Sequence, residues 1–574
     1  MDLWTKEGKK LEGTPWNVYP RPQMVRGNWG CLNGEWEFET VIGSGLPEEY
    51  SQTIQVPFCP ESLLSRIHNI YPAGTVFCYR TTFEMSHKLE EGRLLLHFGA
   101  VDQIAEVYIN ETPVVRHRGG YLPFHCDITR YVREGENEII VRVNDDLDHR
   151  YPYGKQSYKR GGMWYTPVSG IWQTVWMEVV PEEYIEGLHI HCGKDYAEIT
   201  VDGASSGFIL CDGHTYQIAN GSARIEPKEP HLWSPEDPFL YNMEIHCGDD
   251  VVSSYFALRT ISVKKKEGRL RLCLNGQPYF FNGLLDQGYW SDGIYTPAEP
   301  SMYEKDILFA KSLGFNTLRK HIKVEPEQFY YDCDRLGMIV FQDIVNNGEY
   351  HFISDSVLPL IGLTKKDDTE GTDSPEAEDE FLKHMKAEVR HLDNHPCIVY
   401  WTIFNEGWGQ FNADEAYAML IEEDSSRLVD ATSGWFRQKK SDVESHHVYF
   451  RKFKIKSIAE PQVLSEFGGY CYKISDHSTN DKRTFGYRKC KTHTDFVRDL
   501  RRLYKEQIIP AAKAGLCAAI YTQLSDIEDE TNGLITDDRA EKRYFRLIFW
   551  TSRSCFRRQY LTNYKGYFSR PKIP

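Results

Sequence analysis

The sequence predicts a multidomain β plus α/β chain: an N-terminal jelly-roll β-sandwich, an immunoglobulin-like β-sandwich and a C-terminal (β/α)8 TIM barrel. Three observations predict it. From about residue 30 to 180, apolar and polar residues alternate with period two between turn residues, with almost no helical stretch. From about 183 to 265, shorter strands of the same kind fill a length that suits a small immunoglobulin-like sandwich. After Arg271 the order becomes helix, glycine, strand, repeated, which is the alternation of a parallel sheet flanked by helices. The expected boundaries are 1–182, 183–265 and 266–574, since 574 residues exceed what one hydrophobic core accommodates.

In the first unit the strands are Gly34–Phe38, Arg93–Phe98, Ala105–Asn110, Asn137–Val143 and Thr174–Val180. Ala197–Val201 and Tyr241–His246 represent the second. In the third, Tyr279–Asn282 opens the barrel, and Lys305–Leu313 reads as a helix closed by Gly314 before the strand Phe315–His321. Glu325–Leu336, closed by Gly337, leads into Met338–Asp343 in the same way. A helix over Phe381–Asn394, with Leu382, Met385, Val389 and Leu392 on one face, feeds the strand that ends at Glu406. The acidic stretch 365–380 is expected to be a surface loop. Thr432–Gly434, Ser445–Tyr449, Gln462–Ser465 and Ala518–Gln523 bring the strand count to eight.

Composition narrows the function. A formal net charge of -16 argues against a polyanionic partner, because phosphate backbones are gripped by an excess of Lys and Arg. The first ten residues contain no apolar leader core, and no run approaches the length of a membrane span, so a soluble cytoplasmic protein with neither nucleic-acid nor membrane partner is expected. The 14 cysteines show neither a Cys-x-x-Cys pair nor zinc spacing, and are read as reduced, apolar residues. Asp145-Asp146 and Asp526 to Glu530 are rich in carboxylates but are read as solvated loops, so neither a metal nor another cofactor is expected. The 13% aromatic share suits a carbohydrate partner, whose apolar ring faces stack on flat side chains. The sequence leaves a homo-oligomer open.

Glu406 and Glu466 each end a short apolar run rich in β-branched and aromatic residues, which is how a barrel strand delivers a reactive group to its C-terminal rim. Glycosidic bonds break through an oxocarbenium-like transition state that needs an acid for the leaving oxygen and a carboxylate beneath the anomeric carbon. Glu406 is therefore assigned as acid/base and Glu466 as nucleophile. Asn405 could hold the hydroxyl next to the reacting carbon, provided the strand end is irregular enough to aim both it and Glu406 inward.

The chain resembles glycoside hydrolase family 2, which contains β-galactosidases, β-glucuronidases and β-mannosidases. Tyr19-Pro-Arg-Pro22 with Leu32-Asn-Gly-Glu-Trp36, Gly99-Ala-Val-Asp-Gln103, Gly170-Ile-Trp172 and Trp233-Ser-Pro235 are similar to landmarks of its N-terminal domains. Asn394-His-Pro396 through Asn405-Glu406 is similar to its acid/base signature, and Ser465-Glu-Phe-Gly468 to its nucleophile segment. The resemblance implies that Arg319 and His321 shape the pocket floor, and that His446, His447 and Tyr449 line the sugar site, with one histidine facing inward. Asp286, Trp290, Trp408 and Tyr521 lie on loops or strand ends where sugar contacts are expected, while Trp401 is read as barrel packing.

The resemblance points to a retaining exo-acting β-glycosidase, with a β-galactoside first. A β-mannoside, a furanoside (β-galactofuranoside or α-L-arabinofuranoside) and a β-glucuronide follow. Many family β-glucuronidases carry Asn-x-Lys after the eighth strand to hold the uronate; Glu528-Asp-Glu-Thr-Asn-Gly533 has no lysine, and Asn563-Tyr-Lys565 has the spacing but comes later. The chain is also shorter than the long β-galactosidases and is expected to lack the C-terminal sandwich that completes their site. A sugar-binding protein without catalysis is the alternative from another class; the presence of both glutamates and Asn405 argues against it.

Overall fold

The computed structural model describes residues 2–543 apart from 44, 87, 88, 90, 361, 362, 364–366, 370, 372, 373, 456–459 and 481. Asn563-Tyr-Lys565 and Cys555 lie outside the described residues. Every cysteine among the described residues is free. No helix among them is long and apolar enough to cross a membrane.

The N-terminal unit is a jelly-roll sandwich of a four-stranded and a six-stranded antiparallel sheet. Its alternation follows the pleat: Ile104–Ile109 buries Ala105, Val107 and Ile109 against the facing sheet while the intervening residues stay partly exposed. The immunoglobulin-like unit runs from Gly187–Cys192 to Asp250–Phe256, with its own core around Ile199, Ile209, Ile245 and Phe256. Arg26 joins these two units through ion pairs to Glu178 (3.0 Å) and Asp250 (2.8 Å).

Eight parallel strands form the barrel: β1 Phe281–Asp286, β2 Thr317–Lys320, β3 Ile339–Asp343, β4 Ile398–Asn405, β5 Leu428–Ser433, β6 Glu444–Val448, β7 Gln462–Gly468 and β8 Leu516–Thr522. All eight residues of β4 are buried, as a strand covered on both faces requires. The strand ladder runs β5-β4-β3-β2-β1-β8-β7-β6. Side chains join the remaining seam: Ser445 Oγ donates to Asp430 (3.0 Å), and Ser433 Oγ meets His447 Nε2 (3.1 Å).

Helices α1 Ser301–Leu313 and α2 Glu327–Leu336 stop where glycine takes the left-handed conformation, at Gly314 (φ 95°) and Gly337 (φ 71°). Two expectations need correction. β1 starts later than Tyr279 and reaches Asp286, because Tyr279 and Phe280 follow the turn that closes the preceding hairpin. Residues 375–380 are helix rather than loop: α3 spans Pro375–Leu392, with the Ser374 hydroxyl accepting from the Ala377 amide (3.2 Å), Pro375 opening the first turn, and Glu376 and Glu378 near its positive end.

The sandwiches grip the barrel. Trp16 Nε1 donates to Pro297 O (2.8 Å), and Tyr121 and Tyr295 share a hydroxyl hydrogen bond (2.7 Å). Asn394 and His395, from the motif resembling the acid/base signature, serve docking: Asn394 binds the Leu188 and Ile190 backbone, and His395 pairs with Asp334 at 2.8 Å.

Candidate active site

Both candidate carboxylates owe their direction to a break in strand regularity. Asn405 ends β4, and Glu406 follows in the left-handed region (φ 55°), a conformation that costs a non-glycine residue on the order of 1 kcal/mol. The turn aims both side chains into the barrel mouth, where regular pleating would send them to opposite faces. Glu406 N donates to Ser433 O (3.0 Å), and Trp435 Nε1 donates to Glu406 O (2.9 Å), which fixes the turn. Gly407 (φ 75°) comes next, and a Cβ there would lie 2.2 Å from the Phe436 ring. In β7 the pairing jumps, with His446 opposite Leu464 and His447 opposite Glu466, so Ser465 is the extra residue of a bulge that turns Glu466 inward.

A carboxylate oxygen of Glu406, one of Glu466 and a ring nitrogen of His447 all lie within 4.8 Å of one another. His447 Nδ1 sits 2.6 Å from Glu406 Oε1. The Tyr449 hydroxyl donates to Glu466 Oε2 (2.7 Å) and leans toward Glu406 Oε1 (3.3 Å). The Tyr487 ring stacks on Tyr449 with centroids 3.7 Å apart.

Arg319 organises the floor. Its Nη1 donates to Glu466 (3.2 Å), its Nη2 to Asn405 Oδ1 (2.9 Å) and its Nε to Asp343 (2.9 Å). Asp343 also takes His321 Nδ1 at 2.6 Å. Among the described residues, no lysine or arginine pairs with Glu406.

The electrostatics of Glu466 are set by its neighbours. Burial pushes the Glu466 carboxyl up, but His447, His321 and Arg319 together with the Tyr449 hydroxyl outweigh it, holding the group below the usual carboxylate range. Arg319 is the permanent charge in that set, because burial drives His321 toward its neutral form. Burial likewise opposes ionisation of Asp343, yet Arg319 and His321 bring it below its ordinary value. Burial, then the fields of Glu406 and Glu466, push the Tyr449 phenol far up, so it remains a hydrogen-bond donor.

The structure thus brings Glu406, Glu466, Asn405, Arg319, His447 and Tyr449 together, with His321 one contact away through Asp343. His446 points elsewhere: its Nε2 meets Gln462 Oε1 (3.1 Å) and its ring lies against Phe453. Four other expected contacts are not brought to the pair. Asp286 is tied to Lys320 (2.7 Å), and Trp290 packs under Arg539, whose guanidinium lies 4.1 Å from the ring. Trp408 is buried, donates to Gly348 O (3.0 Å) and meets Trp164 edge-on. Tyr521 lies in the packing behind β7, edge-on to Phe467, and its hydroxyl accepts from the Tyr470 amide (3.3 Å). Trp401 packs as expected, donating to Asp424 at 2.8 Å.

The acidic stretch after β8 and Asp145 also depart from solvated loops. Asp526 is buried against Arg543 (2.7 Å), Glu530 is buried beneath the Tyr165 hydroxyl and Asn532 Nδ2 (2.9 Å), and Asp145 is buried under the Leu147 amide (2.9 Å).

Sequence reasoning missed Asp343, Ser433, Trp435 and Tyr487. Asp343 had a usable signal, an acidic residue at the C-terminal end of a barrel strand beside one that supplies Arg319.

Comparisons with known proteins agree with this architecture. The sequence model for "Glycosyl hydrolases family 2, sugar binding domain" matches residues 31–181, and the one for "Glycosyl hydrolases family 2, TIM barrel domain" matches 263–469. A curated β-galactosidase of Thermoanaerobacter pseudethanolicus is 24% identical over 57% of this chain. The chain spans 44%, 35% and 37% of the lengths of the first three curated relatives it matches. Among solved structures, the β-D-glucuronidase of Dictyoglomus thermophilum superposes with a TM-score of 0.73 at 18% identity, covering 94% of this chain and 98% of that one. A family 2 β-galacturonidase from Eisenbergiella tayi, bound to galacturonate, gives 0.66 at 18% identity, covering 94% and 99%. With matched models over both the sandwich and the barrel, and the whole architecture shared, this chain belongs to glycoside hydrolase family 2.

Proposed function

We propose that the chain is a retaining, exo-acting β-glycosidase that removes terminal non-reducing sugars by double displacement, with Glu466 as nucleophile and Glu406 as acid/base. The observation that carries this reading is the approach of the two carboxylates, whose nearest oxygens lie within 4.8 Å. Retaining enzymes hold the pair ~5–5.5 Å apart, whereas inverting ones leave ~6.5–9.5 Å for a water.

Glu466 is kept anionic by Arg319 and bonds to the anomeric carbon as the glycosidic C–O bond breaks. Glu406 passes its proton to the departing oxygen. In the second half, Glu406 takes a proton from water, the water oxygen bonds to the anomeric carbon, and the Glu466 ester bond breaks. Tyr449 and Arg319 donate to Glu466 in its anionic state, so it is preorganised before substrate arrives. Asn405 accepts from Arg319 through its oxygen, which leaves its NH2 for the hydroxyl beside the reacting carbon.

The test is stereochemical. Proton NMR of the first-formed sugar should show the substrate's β configuration, and a 2-deoxy-2-fluoro glycoside should label Glu466; an inverted product or a label elsewhere overturns the mechanism.

His447, His321 and Arg319 together set the pH range, and Arg319 carries the permanent charge among them. The depressed Glu466 pKa adds stability above the ordinary carboxylate value, lost as pH falls through the folded value, and keeps the nucleophile ionised in mild acid. Arg319→Gln should move the acid limb of the kcat/KM profile to higher pH; an unmoved limb would separate that limb from Glu466.

For the sugar, a β-galactoside is supported by the name of the Thermoanaerobacter relative. A β-uronide is the second reading, supported by the names of the two solved structures.

A further inference from the structure

We infer that Lys155, delivered from the jelly-roll unit, is a specificity residue that binds a carboxylate on the substrate's terminal sugar. This rests on the glycosidase reading above and takes its second sugar reading, an acid-bearing one, over the neutral β-galactoside.

Eight lysines and arginines are buried among the described residues: Arg26, Lys155, Arg259, Arg319, Lys320, Lys323, Arg427 and Arg543. Seven of them are compensated. Lys320 and Lys323 share Glu325, Arg26, Arg319, Arg427 and Arg543 pair with carboxylates, and Arg259 donates to two backbone carbonyls. Lys155 is 7% exposed and has neither an ion pair nor a hydrogen bond from its ammonium; its nearest aromatic contact is the Trp164 ring, 5.6 Å from Nζ to centroid. A cation–π contact of this kind contributes about 0.5–1 kcal/mol and leaves the ammonium without a counter-charge. The fold therefore leaves a charge for something else to compensate.

Its position says what that is. The Lys155 charge acts on His321, which Asp343 links to Arg319, and on Glu530, which also feels Glu466. Trp164 leads from Lys155 to Trp408, two residues past Glu406. Lys155 is also held in place. The Tyr153 and Gly154 amides donate to Asn346 O (3.1 and 3.2 Å), the Tyr165 amide donates to Lys155 O (3.0 Å), and a Cβ on Gly154 would lie 3.0 Å from Ile322 O. A preset ammonium held against the loops that follow β2 and β3 fits an anionic oxygen pair better than a neutral hydroxyl. Glu530 opposes this, but both its oxygens are occupied, by Tyr165 and Asn532, and burial pushes its carboxyl up toward the neutral form.

The experiment compares kcat/KM for 4-nitrophenyl β-D-glucuronide and β-D-galacturonide with that for the β-D-glucoside and β-D-galactoside, in wild type, Lys155→Met and Lys155→Arg, with thermal melts confirming the fold. Wild type should prefer a uronide, the preference should fall about a hundredfold in Lys155→Met, and Lys155→Arg should restore part of it. Turnover of neutral glycosides alone, or a uronide preference unchanged in Lys155→Met, overturns the role of Lys155 while leaving the double displacement intact. If no glycoside is hydrolysed and no fluoro-sugar labels Glu466, the glycosidase reading itself fails. Should Lys155→Met not fold, Lys155→Arg and the salt dependence of wild-type KM on the uronides carry the test: a KM insensitive to ionic strength, with full activity in Lys155→Arg on neutral sugars alone, counts against the carboxylate.

Discussion

Glu466→Gln should lose at least about 10⁴-fold in kcat/KM on every nitrophenyl glycoside the wild type accepts, equivalent to about 5 kcal/mol of transition-state stabilisation. The amide keeps the shape, but Arg319 and Tyr449 donate to different oxygens of Glu466, so only one of them keeps an acceptor, and the amide cannot form the glycosyl ester. A better leaving group should not help, because the missing bond lies on the opposite side of the sugar. Steady-state rates with nitrophenyl and dinitrophenyl substrates check both points, and a residual rate that climbs with leaving-group acidity would place the nucleophile elsewhere.

Glu406→Gln should show the opposite dependence. Loss of general acid–base catalysis costs about 10²–10⁴-fold where the departing oxygen needs a proton, and much less where it leaves as a stable phenolate. Dinitrophenyl glycosides should therefore glycosylate Glu466 and stall, giving a burst and then slow release. Azide needs no base and should restore turnover, most clearly in Glu406→Ala, where the shorter side chain makes room, and should yield a glycosyl azide of retained configuration. A variant insensitive both to leaving group and to azide would remove Glu406 from the proton transfer. His447, 2.6 Å from the same oxygen, would then be the next group to test.

The two acids were readable in sequence because Glu406 follows an uninterrupted apolar strand and Glu466 sits near the C-terminal end of another, and buried parallel strands tolerate such a group at their C-terminal rim. Their inward aim was less so. Period-two logic forbids Asn405 and Glu406 from sharing a face, and only the positive φ of Glu406 reconciles them. The choice between His446 and His447 likewise turned on the Ser465 bulge, which shifts the register by one residue. Trp290, Trp408 and Tyr521 misled because an aromatic ring at a strand end has the same composition whether it faces a sugar or fills a core. The start of α3 was legible in Ser374-Pro375-Glu376, a capping signature outweighed by the acidic character of the surrounding stretch. Lys155 was invisible because no periodicity relates a loop of one unit to the loops that follow β2 and β3 in another.

The cylinder is zipped shut between β5 and β6 by side chains, and one tooth of that zip, His447, also tethers the proposed proton donor. Loosening of this joint would reach the acid before it reached the hydrophobic interior. The weakest line of the barrel wall and the most exacting step of the proposed reaction thus share a single imidazole, and the chain can tolerate slack there only at the expense of proton delivery.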